Sequence, residues 1–134
     1  MTRFLTWIFV FMFVVSPLAA AELVYFHEDA CPWCERWQKE VGVIYHKTDE
    51  AKVLPLREVE IDAPRPKDLL KIRPIIYTPT FVVMDGGLEV GRITGYPGED
   101  FFWPMLEGLI KKLDQPTTNG QKAETVFPAT KQAK

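Results

Sequence analysis

Cys31-Pro32-Trp33-Cys34 stands where one side-chain period gives way to another, and it holds both cysteines of the chain. Before it, Glu22 to Phe26 is a short apolar run bounded by polar residues, the pattern of a buried strand. After it, Cys34, Trp37, Val41, Ile44 and Tyr45 recur at i, i+3, i+7, i+10 and i+11, the spacing of one helix face, which Gly42 weakens slightly. Strand, tight turn and helix therefore meet at Cys31. With Cys31 as N-cap, Pro32 falls at the first helical position, where its fixed φ suits the helix and its missing N–H costs nothing. The Cys31 sulfur is then placed to accept hydrogen bonds from the N–H groups of Trp33 and Cys34, at the positive end of the helix dipole. Both effects favour thiolate, the form that attacks a disulfide. Cys34, one turn deeper, is placed to resolve the mixed disulfide that results.

Two other uses of the pair carry less weight. A static staple over about four residues is worth roughly 2 kcal/mol by loop closure, against about 4.7 for a loop of about a hundred. Two thiolates can also bind copper, with His27 or Met84 recruited, or zinc. Zinc takes four ligands, and no second His or Cys cluster completes a set. The pattern calls for no cofactor and no resident metal. His27, four residues before the motif, is a candidate acid or base near the thiols, although a capped or solvated histidine is the commoner role.

Outward from the motif, Thr48 to Lys52 is a polar connection and Leu54 to Ile61 a second strand. Asp62-Ala63-Pro64-Arg65-Pro66 breaks that strand, and Lys67 to Ile72 is a short helix stopped before Pro74. Thr80 to Met84 and Leu88 to Thr94 form a hairpin about Asp85-Gly86-Gly87. The last helix starts near Asp100 as N-cap, with Phe102, Met105, Leu106, Leu109, Ile110 and Leu113 on one face and Pro104 in the first turn. The order β-α-β-α-β-β-α predicts an α/β fold, a four-stranded mixed sheet with helices on both faces.

The 134 residues suffice for one domain, and 47% apolar composition can fill its core. The formal charge is -2 and no basic block marks a nucleic-acid footprint. Residues 1–21 read as a signal peptide: Arg3 supplies the positive region, Phe4 to Leu18 is nearly all apolar, and Ala19-Ala20-Ala21 fits a cleavage site before Glu22. The fifteen-residue apolar run would span about 22 Å as a helix, short of a membrane's roughly 30 Å core. The domain is then 22–114, followed by a polar, disordered tail at 115–134. Export places both cysteines in an oxidising compartment.

With Cys31-Pro32-Trp33-Cys34 between strand and helix, Tyr77-Thr78-Pro79-Thr80-Phe81 before the third strand, and Gly95 after the last strand, the segment Glu22 to Leu113 resembles the thioredoxin superfamily. Within it, Pro32 to Trp37 and Gly91 to Trp103 resemble the small periplasmic thioredoxins of bacterial sulfur-oxidation systems, the SoxS type. The resemblance implies a thioredoxin-like fold and a periplasmic protein-disulfide reductase, with Cys31 and Cys34 catalytic and Pro79 the cis-proline. It also implies that Trp33, Thr78, Pro79, Gly95 and Tyr96 contact substrate, with packing against a neighbouring loop the alternative for Trp33 and a turn role the alternative for Tyr96. The implied partners are a cysteine-containing protein, such as a sulfur carrier, and a membrane electron donor, with the protein itself a monomer. An oxidase or isomerase is the alternative within the class, although isomerases carry a dimerisation domain that is not visible here. A copper-binding chaperone is the alternative outside it. The sequence departs from ordinary thioredoxin in four ways. Tyr25 stands six residues before Cys31 in place of a buried acid, and Glu58 in place of a lysine. Pro-Trp replaces Gly-Pro, and the first strand–helix unit is missing.

Overall fold

A computed structural model describes residues 20–114. The expected tail at 115–134 lies outside the described residues, as does the expected signal peptide apart from Ala20 and Ala21. Among the described residues no helix is long and apolar enough to cross a membrane.

Strand β1 (Glu22–His27) leads into α1 (Pro32–Trp37), a π-helical segment at Gln38–Gly42, and α2 (Val43–Tyr45). Next come α3 (Asp49–Val53), β2 (Leu56–Glu60), a 3-10 turn at Lys67–Leu69, the hairpin β3 (Thr80–Asp85) and β4 (Leu88–Thr94), and α4 (Glu99–Leu113). The sheet order is β2-β1-β3-β4. β1 and β2 are parallel, which requires a crossover, and the helical run after Cys31 supplies it. The other two pairings are antiparallel.

Register decides which side chains share a face. Leu23, Tyr25, Phe81, Val83 and Ile93 are buried with Trp37, Val41 and Tyr45 of the helical run and with Phe102, Leu106 and Leu109 of α4. Val24, Phe26, Val59, Val82 and Met84 point the other way, onto Leu69, Ile72 and Ile75. A sheet covered on both faces needs apolar residues at successive positions, which explains the unbroken run in β1 and β3. The two covers differ. α-Helices lie on the first face, while on the second the expected helix at Lys67 to Ile72 contracts to a single 3-10 turn within an extended segment.

Three local expectations are corrected. Ile44, expected on the inward stripe, is 41% exposed. The wider π turns at Gln38–Gly42 slip the stripe, so that it keeps Trp37, Val41 and Tyr45 and leaves Ile44 outside. The stretch from Thr48 is a short helix: Thr48 caps it, its hydroxyl accepting from the Ala51 N–H at 3.3 Å, and Asp49 and Glu50 occupy the first turn. Finally, α4 begins at Glu99 with Gly98 as N-cap at φ 101°, so Pro104 lies beyond the first turn. Pro104 and Asp100, the residue four before it, are both exposed, so the carbonyl left without an intrahelical donor is near solvent.

The extended segment on the second face is held by ion pairs at both ends. Arg57 of β2 donates to Asp68 at 2.6 and 3.2 Å and to Glu22 at 3.1 Å. At the other end a β-bulge matters: Val83 faces Gly91 but Met84 faces Glu89, so Val90 is an extra residue. In a regular strand residues 89 and 92 would point to opposite faces. The bulge lets Glu89 and Arg92 pair at 2.7 Å, with side chains only 10% and 13% exposed.

On the helix face, Gly91 lets α4 approach the sheet. A Cβ there would stand 2.6 Å from Leu109 Cδ2. Gly91→Val is expected to cost about 1–3 kcal/mol of stability through overpacking, measured by urea unfolding. A loss below about 0.5 kcal/mol would mean that Leu109 turns aside freely.

Candidate functional site

Ala30 turns the chain into the helix with φ 58°, a left-handed conformation unusual for a residue with a Cβ. Cys31 follows as N-cap in an extended conformation, Pro32 occupies the first turn, and the Cys34 N–H donates to Cys31 Sγ at 3.1 Å. The sulfurs form a disulfide with the Cα atoms 5.2 Å apart. Of the two donors expected for Cys31 Sγ, the structure pairs the Cys34 N–H. In this disulfide form the two residues are equally shielded, at 6% and 5% exposure. The difference between them is therefore one of position along the helix, not of exposure.

Beneath the disulfide, Tyr25 Oη donates to the Cys34 carbonyl at 3.4 Å. Burial, reinforced by the negative charges of Glu58 and Glu60, pushes the Tyr25 phenol up to about 12. Tyr25 is thus a phenol at neutral pH, a hydrogen-bond donor and not a base. It shares with Cys31, Cys34, His27, Lys39 and Glu58 the wall of an open cleft of about 400 Å³. The His27 ring is turned to Glu60, Nδ1 to Oε2 3.2 Å, and stacks obliquely on Tyr25 with centroids 5.1 Å apart. His27 is therefore a partnered surface histidine. Among the described residues no three His, Cys, Asp or Glu side chains are grouped to hold a metal ion.

The Thr78-Pro79 peptide bond is cis. Pro79 is buried and its carbonyl accepts from the Gly95 N–H at 2.7 Å, with Gly95 at φ 82°. This joins two of the expected segments directly. Thr78 is tied to the turn before Cys31, because its hydroxyl donates to Glu28. That contact was not legible in sequence: the two residues are fifty positions apart, and neither lies in a periodic pattern.

Trp33 is 54% exposed, and the Arg36 guanidinium lies 5.8 Å from its ring centroid, a cation–π contact. Arg36 also pairs with Glu40 at 2.9 Å. Glu40 in turn accepts from Tyr96 Oη at 2.6 Å. These hydrogen bonds, from Tyr96 first and then Arg36, hold the Glu40 carboxyl below the usual carboxylate range. Tyr96, expected to contact substrate, is instead buried at 6% exposure with its ring edge-on to Phe102. Burial, with the bond to Glu40, raises its phenol. Tyr96 latches the turn after β4 onto the helical run through Glu40.

Neither a family model nor a curated protein matches the chain. Solved structures do. The chain is 44% identical to the periplasmic thioredoxin SoxS from Paracoccus pantotrophus, solved in its reduced form, over 69% of this chain and 98% of that one, with a TM-score of 0.66. It is 26% identical to a thioredoxin from Thermus thermophilus over 67% of this chain and 73% of that one, at a TM-score of 0.51. The Trxlp protein of Edwardsiella tarda shares the fold at 24% identity, over 65% and 82% of the two chains, with a TM-score of 0.52.

Proposed function

Since this chain belongs to the thioredoxin family and is a thiol–disulfide oxidoreductase, we propose that it reduces disulfides on exported protein partners, with Cys31 as nucleophile and Cys34 as resolving thiol. The observation that carries the assignment of roles is the N-cap geometry, the Cys34 N–H aimed at Cys31 Sγ at 3.1 Å. In the reduced protein the same N–H and the helix dipole favour a thiolate at Cys31. That thiolate attacks one sulfur of the partner's disulfide. The partner S–S bond breaks, its other sulfur leaves as thiolate and takes a proton, and a mixed disulfide forms. Cys34, deprotonated, then attacks Cys31 Sγ and expels the partner's second sulfur, which is protonated in turn. The partner gains two electrons and two protons, and the protein ends as the disulfide form described above. A dithiol donor at the membrane restores the thiols.

Substrate contact is assigned to Trp33, to the Thr78 backbone beside Pro79, and to Gly95. An extended segment pairing with backbone at Thr78 and anchored on one aromatic side chain suits this arrangement. A flexible cysteine-bearing terminus, as a sulfur-carrier protein would offer, is such a segment. Residues 1–21 act as the export signal, 22–114 as the working domain, and the periplasm as the compartment. The leader's sequence and the periplasmic neighbour at 44% identity support this placement.

Reduced Cys34→Ser, mixed with a disulfide-bonded sulfur-carrier protein, is expected to accumulate a mixed disulfide through Cys31 that dithiothreitol releases, while Cys31→Ser accumulates none. Trapping through Cys34 in the Cys31→Ser variant would reverse the roles. The reduction potential of the pair fixes direction. A value near about -270 mV, as in thioredoxin, fits a reductase, and one near about -120 mV would make the protein an oxidase.

A further inference from the structure

The segment that leads into Thr78-Pro79 carries two exposed apolar side chains, Ile76 at 75% and Tyr77 at 66% exposure, and has no helix or strand of its own. Its conformation is set from outside. Arg92 of β4 donates from Nη1 to the Pro74 carbonyl at 3.0 Å and from Nη2 to the Arg73 carbonyl at 3.1 Å. The same guanidinium grips Glu89, Nε to Oε1 and Nη2 to Oε2 both at 2.7 Å. Glu89 also accepts from Arg73, from the side chain at 2.7 and 3.1 Å and from the backbone N–H at 3.3 Å. Five residues further on, the Gly95 N–H holds the Pro79 carbonyl at 2.7 Å, and the Thr80 hydroxyl donates to the Tyr77 carbonyl at 2.7 Å.

We propose that Arg92, with Glu89 and Arg73, is a positioning device that holds the Ile76–Thr78 segment in the conformation that receives a protein partner, without acting on the thiol chemistry of Cys31 and Cys34. Three points favour position over stability as its role. A shielded ion cluster is weak support for a fold, since apolar residues of like volume often serve as well. The second face already has an apolar cover at Leu69, Ile72 and Ile75. And two of the guanidinium's bonds reach backbone carbonyls at the start of the segment, which a simple ion pair with Glu89 would not need. Burial alone would raise the Glu89 carboxyl, but the hydrogen bonds from Arg92 and Arg73 outweigh it and hold it at about 2, so the clamp stays charged throughout the neutral range. The bulge at Val90 is what brings Glu89 and Arg92 to one face.

The inference rests on the assignment of Thr78 and Pro79 to the partner-binding surface, and the test separates the two. Pre-reduced protein is mixed with insulin, as a protein disulfide, and with 5,5′-dithiobis(2-nitrobenzoate), as a small one. Insulin concentration series separate half-saturation from limiting rate. Arg92→Met keeps an apolar stem and removes every donor. It is expected to raise half-saturation for insulin about tenfold while leaving the limiting rate and the small-disulfide rate within about twofold, the pattern of a loss of binding that is equal in ground and transition states. Arg92→Lys keeps the charge but not the fork, and is expected to fall between wild type and Arg92→Met. Should Arg92→Met fail to fold, Arg92→Lys and Glu89→Gln carry the test, with half-saturation raised several-fold and the small-disulfide rate kept. Unchanged half-saturation in a folded variant, or equal losses on both disulfides, would overturn the clamp alone. Failure of the wild-type protein to reduce insulin would overturn the partner surface and the clamp with it.

Discussion

The structure depends on the burial of one indole. Trp37, fully buried, lies one turn beyond Cys34, with ring centroids 4.4 Å from Tyr25 of β1, 4.9 Å from Phe81 of β3 and 5.9 Å from Phe102 of α4. Aromatic contacts in this range are worth about 0.5–1.5 kcal/mol each beyond the area they bury. Their joint effect is to fix the last turn of α1 over the middle of the sheet, and with it the position of the N-cap sulfur. Among the described residues the indole Nε1 finds no hydrogen-bond partner, a cost the ring packing has to offset. Tyr25 connects this packing to the site, since the same ring that meets Trp37 sends its hydroxyl to the Cys34 carbonyl.

The two faces of the sheet serve different ends. α-Helices on the first face give rigid, apolar support to the disulfide. The second face carries a long segment with one 3-10 turn, and polar staples from Arg57 and Arg92 take the place of helical packing. Segments without their own backbone ladder must satisfy carbonyls elsewhere, and arginine, with five donors in a planar fork, can serve several at once. The approach to Thr78-Pro79 is held at the Arg73 and Pro74 carbonyls by Arg92 of β4, and the loop itself by the Gly95 N–H and by Glu28 in the turn before Cys31.

Much of this was legible in the sequence where a period or a cap wrote it. Cys31 at the N-cap, Pro32 behind it, the Asp85-Gly86-Gly87 turn and the span Leu88–Thr94 follow from local rules, and the structure places them so. Cover on both faces follows from the element order, but the irregularity of the second cover, one 3-10 turn where a helix is expected, does not. Ile44 was misplaced because α-helical spacing does not anticipate a π segment. Pro104 lies deeper in its helix than an Asp100 cap implies, because the helix starts two residues earlier, at Gly98 with positive φ. Ala30 gave no sign, since an alanine does not advertise a left-handed turn. The Thr48 cap has a local signal, a threonine with an acidic pair behind it, but the helix is only five residues long and carries no apolar period. Glu28 with Thr78, and Glu89 with Arg92 across a bulge, depend on tertiary placement that no local pattern encodes.

The two cysteines are nearly equally buried in the disulfide form, so the difference in their chemistry is assigned to the N-cap position of Cys31. Alkylation of the reduced protein with iodoacetamide, followed residue by residue by mass spectrometry from about pH 5 to 10, tests this directly. Cys31 is expected to react first, with an apparent pKa below the free-thiol value of about 8.5, and Cys34 more than about tenfold more slowly at pH 7. Equal rates for the two thiols, or a Cys31 profile centred at about 8.5 or above, would contradict the assignment of Cys31 as nucleophile.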